Sequence, residues 1–471
     1  MNCELNCELN LIVAYDNKFG IGKNNGIPWK VKEDMKHFQE KTRDTTIVMG
    51  YNTWLSIGRK LTRRVNVVIS RTYEEDNEKV EEKDRKELIF VSSLDTYLGN
   101  LKKEKESKEK RKIFIVGGEK IYREFLMKYT PENIYLTEID VECDCDTFFP
   151  CNLINLGSYK ETSNEILTQD GIKVKFKHLV WFQNKDERTL LNLYSHVLNN
   201  GELKEDRTGI GTHSIFGAML KFNLYPNVLP LMTSKFVGIK TVIRELLWML
   251  SGSTDSKKLE EQGVKIWKKN GELSFLRSQG LPYREGDLGP IYGFQWRHFG
   301  AKYRGADADY TGEGVDQIQR LIRGIIEKPQ SRRHILCSWN VEQIDEMALP
   351  PCHVLFQLTV SGDGKFLSAR LDQRSADMFL GLPFNIASYA ILTHLIAKLT
   401  GLQAKELTIQ LGDVHIYRNH EEQVKTLLGR EVYAFPRIEI EDIDDIDKVG
   451  LKHFKIFNYK HGEKIEAEMA V

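Results

Sequence analysis

The sequence predicts two domains, an α/β domain followed by an α+β domain, and three observations carry that expectation. The chain has 471 residues, more than one ordinary domain holds. Over the first 180 or so residues, strand-like pieces rich in β-branched side chains alternate with helical patterns. That is the mark of a mostly parallel sheet flanked by helices. A long strand-like segment, GIKVKFKHLVWF, then ends near Phe182, and NKDERTLLNLYSHVLNNG begins a helical pattern. The second half therefore opens with helix, and it ends in mixed strands. The expected bounds are 1–183 and 188–471, with a linker at 184–187. The linker is short and has no Pro/Gly/Ser tract, so a fixed relation between the halves is expected.

Composition narrows the function classes. Lys+Arg and Asp+Glu both count 67, so no net charge draws the chain to nucleic acid or an anionic membrane. No apolar run approaches the ~20 residues of a membrane span. The N-terminal MNCELNCELN has neither the basic flank nor the apolar core of a secretory signal. Seven cysteines without a CxxC spacing fit a reducing compartment, and a cytosolic chain is expected. No metal site is expected.

In the first half, LNLIVAYD, TTIVMG, RVNVVISR, KIFIVGG and NIYLTEID read as strands. Two nearly all-charged runs, Glu74 to Glu87 and Lys102 to Lys112, read as solvated surface insertions, with ELIFVSSL between them still strand-like. In WKVKEDMKHFQE, Val31, Met35 and Phe38 make an apolar helical stripe, and Asp34 lies on the same stripe. A carboxylate there is a cap, half of a buried ion pair, or an acid for a cationic or amidine-like ligand. Gly117-Gly118 stands between a strand and a helical face of Ile121, Tyr122 and Phe125, a turn that lets backbone approach a phosphate. Ser70-Arg71-Thr72, at another strand end, could take a second phosphate.

In the second half, IRELLWML is an amphipathic helix with Glu245 at the edge of its apolar stripe, either a surface charge or a tuned acid/base. Arginines recur at Arg207, Arg332, Arg333 and Arg374, as surface ion pairs or as forks for phosphate. GLPFNIASY sets Asn385 after a proline turn, and LGDVHIY sets His415 and Tyr417 on one face of an extended stretch. In ALPPCHVLFQ, two prolines stiffen the approach to Cys352 at the mouth of a strand-like run, Val354 to Leu358. Such a thiol is a small buried residue at a turn or a nucleophile on an elbow.

Residues 9–182 resemble the dihydrofolate reductase family. LNLIVAYDNKFGIGKNNGIPW, Asp34, TIVMGYNTWLSIG, RVNVVISR, IVGGEKIY and YLTEID…DTFFP occur in that family's order. The resemblance implies that Asp34 binds the pteridine 2-amino group and N3 and supports protonation at N5. Thr137 would hold Asp34. Ile12, Ala14, Met35, Phe38 and Ile57 would line the folate pocket, and Arg64 would pair with the folate α-carboxylate. Gly22, Thr53, Val116, Gly117, Gly118 and Tyr122 would border NADPH, with Ser70 and Arg71 near its adenosine phosphates. The segment Gly20 to Trp29 resembles the family's mobile loop over nicotinamide. One departure is Tyr51 in MGYNTW, where the family has a basic residue. A weaker margin of NADPH over NADH is expected from it.

Residues from about Arg188 to Val471, with DLGPIYGFQWRHFGA and the terminal EMAV, resemble the thymidylate synthase family. That implies Cys352 as the nucleophile at C6 of dUMP, with Arg374 lowering its pKa and Glu245 moving protons through water. Asn385 would read uracil, and His415 and Tyr417 would hold the sugar 3′-hydroxyl. Arg207, Arg374 and Ser375 would hold the 5′-phosphate. Arg332 and Arg333 would reach the phosphate of the other subunit, which implies a homodimer. Asp377 would bind the pterin of methylenetetrahydrofolate, Trp267 and Tyr292 would shape the cavity, and Val471 would close it. His353 is expected to be structural.

Together the resemblances imply one chain that makes dTMP from dUMP and restores the spent folate with NADPH. Small molecules are the expected partners, with no membrane or nucleic acid. Two alternatives remain at this point: a nucleotide hydroxymethylase, which Asn385 argues against in its cytosine version, and an RNA-binding regulator with one silent domain.

Overall fold

The computed structural model describes residues 7–103, 110–206 and 208–469. The chain divides into two compact units, Met1–Gln183 and Asn184–Val471.

Among the described residues the first unit has ten strands: β1 (Cys7–Tyr15), β2 (Gly20–Gly22), β3 (Thr45–Gly50), β4 (Arg64–Ile69), β5 (Leu88–Val91), β6 (Arg111–Gly117), β7 (Asn133–Ile139), β8 (Thr147–Phe148), β9 (Tyr159–Gln169) and β10 (Ile172–Trp181). Eight form one sheet in the order β5-β4-β3-β6-β1-β7-β10-β9. The pairings from β5 to β7 are parallel, and β10 runs antiparallel to β7 and β9. Parallel strands are covered on both faces, so their apolar runs are continuous: Ile47, Val48 and Met49 on β3 are all fully buried.

The charged run after β4 differs from the solvated segment expected of it. Residues Tyr73–Glu78 form a helix, Asp76 is buried, and Val80 joins the core. Asn77 pairs through both side-chain atoms with the backbone of Phe90 on β5. Single anchoring residues among charges leave no periodicity, so the pattern hid them. Of the second run, helix Leu94–Lys103 takes the start and β6 the end; residues 104–109 lie outside the described residues.

The second unit holds a six-stranded sheet of β11 (Glu202–Lys204), β12 (Thr212–Asn223), β13 (Ile335–Cys337), β14 (His353–Val360), β15 (Phe366–Asp377) and β16 (Gln403–Tyr417). The order is β11-β12-β16-β15-β14-β13, and only β15 and β16 pair in parallel. Helix Gly381–Leu399 packs on β15 and β16, helix Lys185–Asn200 on β12, and helix Ile239–Leu250 on Gly381–Leu399. Gly381–Leu399 is long and apolar enough to span a membrane, but 78% of its apolar window is buried in this core. Asn385, Ser388, Thr393 and His394 interrupt its sequence, so it does not read as one apolar run. On the strands of this sheet Phe216 is 85%, Met219 62% and Ile335 41% exposed.

Candidate active sites

In the first unit a cleft of about 1810 Å³ opens between the ends of the central strands and their helices. One small ligand needs roughly 300–1,000 Å³, so this volume accommodates two. Asp34 sits at its wall in the first turn of helix Lys32–Thr42, only 7% exposed. Burial raises its pKa from 3.8 to about 6. A hydrogen bond from Thr137, on β7 and wholly behind the surface, partly offsets that rise. The Trp29 indole also favours the anion, although its N–H completes no direct hydrogen bond. Met35 is 47% exposed because its part of the apolar stripe faces the cleft, along with Phe38, Ile57, Ile12 and Ala14.

Arg64 lies at one end of this cleft, its guanidinium aimed by hydrogen bonds to Thr42 Oγ1 (2.9 Å), Thr62 O (2.7 Å) and Gln39 O (3.1 Å). At another end Gly117, with φ +124, turns the chain from β6 into helix Glu119–Lys128. A Cβ on Gly118 would meet Thr53 Oγ1 at 3.3 Å. Tyr122 donates to Ile12 O at 2.7 Å and fastens that helix to β1. Gly22, Val116 and Arg71 also line the cleft. Ser70 is there too, but its hydroxyl donates to the buried Asp76 at 2.6 Å, leaving lone pairs rather than a proton for a ligand. Tyr51 opens helix Tyr51–Ile57 at the cleft wall. The loop after β2 is held by Asn24 N donating to Asp146 Oδ2 (2.9 Å) and by the β2–β8 ribbon.

In the second unit, Cys352 stands at the entry to β14. Its N–H donates to the Tyr292 hydroxyl at 2.7 Å. Arg374 Nη2 lies 4.0 Å from Cys352 Sγ, and the same guanidinium is fixed by Pro351 O (2.9 Å) and Pro350 O (2.8 Å). The two prolines thus supply carbonyl oxygens that hold the arginine against the thiol. Asn385 lies in the first turns of helix Gly381–Leu399, with Pro383 in the first turn where its missing N–H costs nothing. Gln373 Nε2 donates to Asn385 Oδ1 at 3.0 Å, and His353 hydrogen-bonds the same side chain. Burial pushes His353 down to about 4, so the ring is neutral and can pair with an amide. His353 therefore contacts the residue expected to read the base.

Glu245 is partly accessible yet densely surrounded, and burial pushes its pKa up to about 7. Trp267 Nε1 donates to it at 2.8 Å, and the Trp267 ring lies 6.1 Å from that of Tyr292. Tyr389 lies between Glu245 and His353. These contacts gather Cys352, Arg374, Asn385 and Glu245 around one centre. At the parallel β15–β16 pair, Asp377 stands opposite His415, whose Nδ1 is 2.8 Å from Asp413 and whose ring meets Tyr417 at 5.2 Å. Ser375 follows Arg374 on β15.

Arg332 and Arg333 do not join this centre. Leu358 N donates to His334 O, which puts both arginines beside the far end of β14. Leu358 is six residues along the strand from Cys352, a distance of roughly 20 Å. Both side chains are exposed and make no ion pair among the described residues. Arg207 and Val471 lie outside the described residues.

Two residues escaped sequence reasoning. Gln373 sits in the same DQRSAD stretch as Arg374. Lys235 is 5% exposed, its ammonium donating to Phe379 O and lying 3.8 Å from the Phe379 ring centroid. Burial depresses its pKa to about 8, and nearby Asp377 partly restores it. A lone cation in the apolar stretch LPLMTSKFV was the available signal, the same rule that singled out Asp34.

The thymidylate synthase family model matches residues 188–471, and the dihydrofolate reductase family model matches residues 8–182. A bifunctional dihydrofolate reductase-thymidylate synthase of Paramecium tetraurelia is 39% identical, with 99% of each chain covered. The Arabidopsis thaliana protein of that name numbered 2 is 40% identical over 98% of this chain and 88% of its own. The Leishmania major protein is 39% identical over 98% and 95%. The chain belongs to the bifunctional dihydrofolate reductase–thymidylate synthase family.

Proposed function

We propose that the second unit methylates dUMP with 5,10-methylenetetrahydrofolate and that the first unit reduces the dihydrofolate so formed with NADPH. The observation that carries the synthase reading is the convergence of Cys352, Arg374, Asn385 and Glu245 on one centre. A guanidinium 4.0 Å from Sγ favours the thiolate. That thiolate adds to C6 of the pyrimidine, and C5 becomes a carbon nucleophile for the one-carbon unit. Asn385, oriented by Gln373 and His353, can accept from uracil N3–H and donate to O4. Glu245, with a pKa near neutrality, can both take and give a proton there. Ser375, His415, Tyr417 and Asp377 are assigned to phosphate, sugar and pterin as the family resemblance implies.

In the first unit Asp34 holds the pteridine amidine and supplies a proton toward N5. NADPH, when bound, supplies the hydride. The residues present fit it: Gly117 and Gly118 leave room for a phosphate, and Arg71 makes no ion pair among the described residues. The cleft also has volume for a second ligand beside folate.

We further propose a homodimer through the second sheet. The exposure of Phe216 and Met219 supports it, as does the distance of Arg332 and Arg333 from their own chain's thiol. Mass analysis of the nucleotide made from dUMP tests the reaction. A gain of a methyl group is expected. A hydroxymethyl product, or unchanged dUMP, would contradict the synthase assignment.

A further inference from the structure

Glu187 is a carboxylate that the proposed chemistry does not use, and it is completely buried. It accepts from Thr233 N (2.8 Å), Thr233 Oγ1 (2.6 Å), Ser234 N (2.8 Å) and Ser234 Oγ (2.8 Å). A fifth, longer contact comes from Asn184 Nδ2 at 3.4 Å. Asn184, the first residue of the second unit, also caps helix Lys185–Asn200 by accepting from Glu187 N. No lysine or arginine pairs with the carboxylate among the described residues. Burial raises its pKa while these donors favour the anion. Four close donors from two adjacent residues make a clamp on one short segment of chain.

That segment continues into Lys235. Its ammonium reaches Phe379, whose N–H in turn donates to Asp377 Oδ1 at 2.9 Å. The opposite side of the segment receives the C-terminal tail. Gly462 N donates to Thr233 O at 2.7 Å, and Tyr459 OH donates to Met232 O at 2.8 Å. A Cβ on Gly462 would lie 2.6 Å from Ser234 O, so the tail lies tight against the clamped residues.

We infer that Glu187 is a positioning residue for the folate side of the synthase site. It fixes Thr233-Ser234, and through them sets Lys235 beside Asp377 and seats the tail. The inference rests on the synthase reading of the second unit. It also makes the first helical turn after the domain junction part of the folate site's support, which Cys352 and the dUMP contacts do not share.

The test compares Glu187→Gln, Lys235→Gln and their double variant in the full chain. Glu187→Gln should raise the KM for methylenetetrahydrofolate about ten-fold with kcat little changed, the signature of lost ground-state binding. Equilibrium binding of dUMP and the dihydrofolate reductase rate should stay within about two-fold of wild type. Because Glu187 acts through Lys235, the double variant should show about the KM of Lys235→Gln alone. If Glu187→Gln does not fold, Thr233→Val with Ser234→Ala, which keeps both backbone donors, carries the same expectation. An unchanged folate KM, a matching loss of dUMP binding, or fully additive effects would overturn the inference. Failure of the wild-type chain to make dTMP would instead remove the synthase reading.

Discussion

A thiol 4.0 Å from a guanidinium nitrogen, as Cys352 stands to Arg374, and a carboxyl 7% exposed, as in Asp34, obtain their chemistry from their surroundings. Cys352→Ser should abolish dTMP formation and leave dihydrofolate reduction near wild type, since a serine hydroxyl ionises far less readily. Separate assays of the two activities check it, and near-native dTMP synthesis would remove the nucleophile. Asp34 loses its proton as pH rises through about 6. Asp34→Asn should therefore cripple reduction most near neutrality and erase the inflection near that pH, with the synthase unaffected; a pH–rate profile like the wild type's would refute the role. Glu245 gives a stability prediction. Its folded pKa, about 7, exceeds the ordinary 4.5, so the native state holds the proton more tightly than the unfolded chain. The associated stability is fully present below 4.5 and is lost as pH rises through about 7. Glu245→Gln should thus lose synthase activity yet stabilise the second unit at about pH 8 by on the order of 2 kcal/mol. Denaturant melts should show the gain vanishing in acid, and a pH-independent difference would contradict it.

At the scale of elements, strand ends meeting helix starts carry both sites. In the first unit Ser70-Arg71 follow the end of β4 at Ile69, and the following helix spends Asp76 on the Ser70 and Thr72 hydroxyls. With Tyr51 at the neighbouring helix start, Arg71 is the cation proposed for an adenosine phosphate. NADPH should be preferred over NADH by a modest margin. Arg71→Ala should lower kcat/KM for NADPH roughly ten-fold or more and leave NADH nearly unchanged, since a charge-assisted hydrogen bond contributes ~1.5–3 kcal/mol. Equal kcat/KM for the two cofactors in the wild type would refute the preference. Much of this was legible in the sequence. The continuous apolar runs of β3 and β4, Asp34 on an apolar stripe, and the proline elbow before Cys352 each break or satisfy a local rule. The clamps were not. Gln373 on Asn385, Tyr292 on Cys352 N–H and Glu187 on Thr233-Ser234 join residues 12, 60 and 46 or 47 positions apart. A hydrogen bond across such a distance leaves no periodicity. Asp76 was hidden for the opposite reason, as one buried carboxylate in a run of exposed ones.

For the whole molecule, Arg332 and Arg333 stand far along β14 from their own thiol, which is the ground for proposing that a second copy supplies them to the phosphate site. Mixing a Cys352→Ser chain with an Arg332→Ala/Arg333→Ala chain, each inactive alone, tests this. In a heterodimer one site combines an intact Cys352 with the neighbour's intact arginines, and the other carries both defects. Random exchange under twofold symmetry should restore about a quarter of native synthase activity. No recovery, with heterodimers shown by sedimentation, would return the arginines to their own subunit. The central claim is that both reactions run on one chain and that the product of one is the substrate of the other. It is tested most directly by following one solution of the protein with dUMP, methylenetetrahydrofolate and NADPH, measuring dTMP and NADPH oxidation together. NADPH should be consumed in equal amount to the dTMP formed, and Cys352→Ser should abolish both signals while added dihydrofolate restores NADPH consumption alone. Formation of dTMP without NADPH consumption, or NADPH consumption that continues in Cys352→Ser without added dihydrofolate, would contradict it.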